Sequence, residues 1–89
     1  MTKEQLLARG RKAAMLLEDE TVQEILSEIE QAYVKTWAST DAKDTETREK
    51  MYFGFRVVGQ FREILKVICD NGKFEEAQLR KALGVDGNS

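Results

Sequence analysis

Residues 45–70 read TETREKMYFGFRVVGQFREILKVICD, and their apolar positions repeat at the spacing of a helix. Met51, Val58 and Leu65 are seven apart, Phe61 and Ile68 are seven apart, and Phe55 and Ile64 broaden the same face. That period predicts one amphipathic helix over about 45–70. Asp44 or Thr45 can cap its start, and Glu46 lies at the positive end of the helix dipole. Asn71-Gly72 is expected to stop it, since glycine readily takes the left-handed conformation that ends helices.

Upstream, Val22, Ile25, Leu26, Ile29, Ala32, Tyr33 and Trp37 recur at three- and four-residue steps. They predict a second helix over about 22–37, with Thr21-Val22-Gln23-Glu24 as its capping box. The polar run Ala38–Thr45 between the two is the clearest loop, because Ser, Thr and Asp compete for backbone hydrogen bonds. Two amphipathic segments joined by a short loop are expected to fold back as an antiparallel helical hairpin. Short flanking helices are expected over about 3–17, weakened by Gly10, and about 73–83, ended by Gly84. Residues 86–89 read as a disordered polar tail. The fold class is therefore all-α, a single domain spanning 1–89. Proline is absent from the sequence, which permits long uninterrupted helices.

The totals narrow function. Fourteen basic and sixteen acidic side chains leave a net charge of -2, which argues against non-specific nucleic-acid binding. No run approaches the roughly 20 apolar residues of a membrane span. The N-terminus lacks the features of a signal peptide, so a cytoplasmic protein is expected. With no histidine and one cysteine, Cys69, no Ser/His or Cys/His nucleophile pair can form, and no cofactor or metal is expected. Cys69 reads as a small buried apolar residue. Glu20, Glu24 and Glu28, four apart, read as a solvated face rather than a docking strip. Arg9, Arg11 and Lys12 form a basic cluster that could contact an anion, though ordinary surface explains it.

The aromatic residues carry more. Tyr33, Trp37, Tyr52, Phe53 and Phe55 come close together if the hairpin forms. Tyr52-Phe53-Gly54-Phe55 points rings to several sides of one turn, so some must face outward. Trp37 reads as core, near Gly54, Met51 and Phe55, and Tyr52 or Phe53 as the outward ring. Tyr and Trp often anchor interfaces. A hairpin of this size has two apolar stripes and little interior, so a second copy or another protein is expected to supply further cover.

Trp37-Ala-Ser-Thr40, Asp44, Arg48-Glu49-Lys50-Met51-Tyr52 and Asn71-Gly72-Lys73 follow one another in an order that resembles small helical proteins of tailed-phage and prophage structural gene clusters. The resemblance implies a virion-assembly or accessory role with protein partners and several copies, without enzymatic activity. By their own physics, Arg48 and Glu49 could tie the loop down by ion pairs. The leading expectation is an oligomeric, non-enzymatic protein–protein interaction module. One alternative is a small inhibitor that docks on a host or nucleic-acid-handling enzyme. Another is a nucleic-acid-binding accessory subunit using Arg9, Arg11 and Lys12.

Overall fold

The structure, a computed structural model, describes residues 1–84, so the expected tail at 86–89 lies outside the described residues. Three helices account for nearly all of it: α1 (Lys3–Glu18), α2 (Glu20–Ser39) and α3 (Thr45–Ala82). No strand occurs among the described residues, so the chain is all-α.

Local chemistry sets most of the boundaries. Before α1, the Thr2 N–H donates to Gln5 Oε1 at 2.9 Å, and the Gln5 N–H donates to Thr2 Oγ1 at 3.1 Å. This reciprocal pair is a capping box, three residues apart as the motif requires. The box expected at Thr21–Glu24 gives way to an earlier start. Asp19 is the N-cap of α2, and its carboxylate accepts from the Val22 N–H at 3.0 Å. Thr21 consequently lies inside the first turn. Asp44 begins α3 as expected, with its Oδ1 accepting from the Thr47 N–H at 3.2 Å. Hydrogen bonds from the Thr47 hydroxyl and then its backbone N–H hold the Asp44 carboxyl below its ordinary value.

The expected stop at Asn71-Gly72 is absent, and so is the separate helix at about 73–83. α3 runs unbroken through both residues to Ala82, and the left-handed residue is Gly84, at φ 71°. Gly72 has another use. A Cβ built on Gly72 would lie 2.7 Å from the Gly10 Cα, and one on Gly10 would lie 2.6 Å from the Gly72 Cα. The two glycines let the backbones of α1 and α3 touch, and both are buried. Gly10 therefore contributes packing where the sequence read weakness.

The residues form two compact units, Met1–Glu18 with the described part of Ile64–Ser89, and Asp19–Glu63. The first centres on Ala13, Leu65 and Cys69, with Ala14, Leu17 and Ile68 packed around them. Cys69 is the small buried residue expected of it. In the second, Leu26 of α2 and Val58 of α3 are the buried hydrophobics. There Tyr33 lies over Gly54, where a Cβ would fall 2.2 Å from the ring. Arg62 pairs with Glu30 and reaches Ser27 Oγ at 3.5 Å. Glu20, Glu24 and Glu28 are all exposed.

Glycines 59 and 72 make opposite demands on substitution. Gly72→Ala forces the two backbones apart and is expected to cost about 1–3 kcal/mol, the usual range for overpacking. Gly59 has nothing within 4 Å of its added Cβ, so Gly59→Ala is expected to stabilise by about 1 kcal/mol through helix propensity. Urea unfolding of the two variants checks this. Shifts of the same sign would contradict the packing assigned to Gly72.

Candidate interaction surface

Trp37 closes α2, and the loop after it is tied back through Arg48. The Arg48 guanidinium lies 4.0 Å from the centre of the Trp37 ring. Its Nη1 donates to the Trp37 carbonyl at 3.3 Å and the Thr40 carbonyl at 3.1 Å. The Thr40 hydroxyl donates to the Thr36 carbonyl, and the Thr40 N–H to the Trp37 carbonyl. One cation thus stacks on the ring, gives the Trp37 carbonyl a second donor and the Thr40 carbonyl a partner, and sits at the negative end of the α2 dipole. The loop is tied down from Arg48, but by ring and carbonyl contacts; the ion pairs expected from Arg48 and Glu49 are not among the contacts of the described residues.

Beside this anchor, Tyr33, Val34, Trp37, Met51, Tyr52 and Phe55 line an open apolar cavity of about 210 Å³. Four of the five aromatic residues singled out in the sequence meet here. Trp37 was expected in the core, yet it is 42% exposed, and Tyr33 takes the space beside Gly54. Tyr52 faces outward, as does Phe53, which lies outside this cavity; the two rings are 6.2 Å apart and tilted.

Residues the sequence reading misassigned complete the surface. Phe55, Phe61 and Ile64 were counted with Val58 and Leu65 as one face, but all three are exposed while Val58 and Leu65 are buried. α3 carries a second apolar ridge, Phe53, Val57 and Phe61, exposed by 59%, 61% and 49%. Their four-residue step places them in one row on a helix of about 3.6 residues per turn. That step was visible in the sequence and was hidden by the stronger seven-residue repeat. Phe53 and Val57 also line a shallow depression with Arg56, Gln60 and Glu63.

The basic trio of α1 is divided. Arg9 and Lys12 line one shallow depression with Met1 and Gln5, and Arg9 donates to the Met1 sulfur at 3.6 Å. Arg11 borders a different one, beside Gly10, Gly72 and Cys69. Among the described residues no group of three or more His, Cys, Asp or Glu side chains could hold a metal. No helix of the described residues is long and apolar enough to cross a membrane.

No protein family, curated protein or solved structure matches the chain.

The Arg48 anchor is open to direct test, since Trp37 is the only tryptophan in the sequence. Arg48→Ala is expected to red-shift Trp37 emission and to destabilise by about 1 kcal/mol, the scale of an exposed cation–π contact. Arg48→Lys should restore only part of this, because an ammonium cannot stack and donate as a planar fork. Unchanged emission in Arg48→Ala would contradict the anchor.

Proposed function

We propose that this chain is a non-enzymatic protein–protein interaction module that works by self-association. In this reading α2 and the first half of α3 act as an antiparallel helical hairpin. The pairs Trp37 with Arg48, Tyr33 with Gly54 and Glu30 with Arg62 support it, since ascending positions on α3 meet descending positions on α2.

One observation carries the proposal. In the unit Asp19–Glu63 the buried hydrophobics are Leu26 and Val58, while Phe53, Val57, Phe61, Tyr52, Ile25 and Ile29 are all exposed. Exposed aromatic side chains are typical of an interface centre, and Tyr52, Phe53, Phe55 and Val57 border one depression. The lack of histidine in the sequence and the burial of Cys69 support leaving catalysis out of the reading. The division of Arg9, Arg11 and Lys12 between two depressions supports protein over nucleic acid as partner.

The likeness of the Trp37–Lys73 sequence to small phage structural-cluster proteins suggests the setting. There the chain would serve as a multi-copy assembly component, in the host cytoplasm or the virion. The alternative, an inhibitor docking as a single chain, uses the same surface with a different occupant.

Sedimentation velocity across a concentration range separates the two. A defined oligomer at micromolar concentration is the expected result. A stable monomer at every concentration would overturn self-association and favour the docking inhibitor.

A further inference from the structure

We infer that Asn71-Gly72 is a modification site gated by α1: it is closed while Gly10 rests on Gly72, and it deamidates when α1 lifts from α3. The chemistry has three requirements. One is an asparagine amide within reach of water, and Asn71 is exposed. Another is a following residue whose backbone nitrogen no side chain shields, and Gly72 has no Cβ. The last is freedom for that nitrogen to turn onto the Asn71 side-chain carbonyl carbon. Attack there forms a five-membered succinimide, and the amide nitrogen leaves as ammonia with the proton that the Gly72 nitrogen gives up. Water then opens the ring at either carbonyl, leaving aspartate or an isoaspartyl linkage. The net change is amide plus water to carboxyl plus ammonia, with no oxidant or further reactant.

The fold withholds the third requirement. α3 runs unbroken through Asn71 and Gly72, so the Gly72 N–H is committed to the Ile68 carbonyl four residues back. α1 covers both partners of that bond. A Cβ built on Gly10 would lie 3.2 Å from the Gly72 nitrogen and 3.3 Å from the Ile68 oxygen. One built on Gly72 would meet the Leu6 carbonyl oxygen at 3.2 Å. The Asn71–Gly72 peptide therefore has no room to turn until α1 moves. Only Gly10 and Ala13 of the 16 residues in α1 are buried, and segments with few buried contacts open at low free-energy cost. The product cannot revert to the closed state. An isoaspartyl linkage adds a main-chain atom, which breaks the regular hydrogen-bonded ring of an α-helix. That break falls under Gly10, so α1 does not seat again, and the cluster of Ala13, Leu65 and Cys69 comes apart.

Peptide mass spectrometry tests the gate. The full chain is incubated at mildly alkaline pH and cut with trypsin, and the Val67–Lys73 peptide is scored for conversion of amide to acid. Folded protein is expected to deamidate at least about tenfold more slowly than protein unfolded in guanidinium chloride, because only the open fraction reacts. Gly10→Ala overfills the crossing and should raise the folded-state rate about tenfold, with helicity unchanged by circular dichroism. Leu17→Ala loosens α1 without crowding the glycines and should act in the same direction. It decides the point if Gly10→Ala fails to fold. Gly59→Ala, in the other unit, should leave the rate unchanged. Equal rates in folded and unfolded protein would mean that α3 gives no protection. No acceleration in either α1 variant would mean that α1 is not the gate. A slower rate in Gly59→Ala would show that the reaction waits on unfolding of the whole chain. Any of these three results overturns the proposal.

Discussion

A helix lying against one neighbour buries a single stripe, and α3 has two. That mismatch governs the rest of the molecule. Its first stripe holds Val58, Leu65, Cys69 and Gly72, all buried. Its second, Phe53, Val57 and Phe61, faces water. Burying apolar surface is the main favourable term in folding, at about 25 cal/mol per Å². Aromatic residues left outside a chain this small forfeit stability that it has little room to lose. The inward stripe holds each unit together, and the outward one is the feature from which a binding role is argued.

Within each unit, close approach compensates for a thin core. Gly10 against Gly72 lets two helix backbones meet with no side chain between them, beside Ala13 and Cys69. Gly54 does the same for the Tyr33 ring. Small residues at such positions give up helix propensity, about 1 kcal/mol for each glycine relative to alanine. In return they gain dispersion contacts along the whole crossing. The Arg62–Glu30 pair is only partly buried, so its net contribution is modest. Arg48 acts differently, fixing the loop end by stacking on Trp37 and donating to the Thr40 carbonyl.

What could be read from sequence was what depends on near neighbours along the chain. The extent of α1, the existence of α2, the polar loop and the Asp44 start of α3 all follow from caps and periodicity within a few residues. The errors arose where a distant residue decides. Asn71-Gly72 has the composition of a helix stop, but its role is set by Gly10, which no local pattern links to it. Thr21–Glu24 has the form of a capping box, yet Asp19 captures the Val22 N–H first. At the surface, Tyr52 and Phe53 were legible as outward rings because four successive residues cannot share a face. Val57 and Phe61 were not, since the seven-residue repeat that identified the helix also drew Phe61 into its core. Arg48 was singled out for an ion pair, and its true contacts depend on where the Trp37 ring comes to rest.

The central proposal is that this chain covers its second stripe with another copy of itself, and gains stability by doing so. Folding linked to association obeys mass action, so the midpoint must move with protein concentration. Thermal unfolding followed by circular dichroism over a hundredfold range of concentration is the direct measurement. A Tm that climbs steadily with concentration is the expected result. A Tm that stays constant across the range would mean that the single chain folds on its own resources, and would contradict the claim.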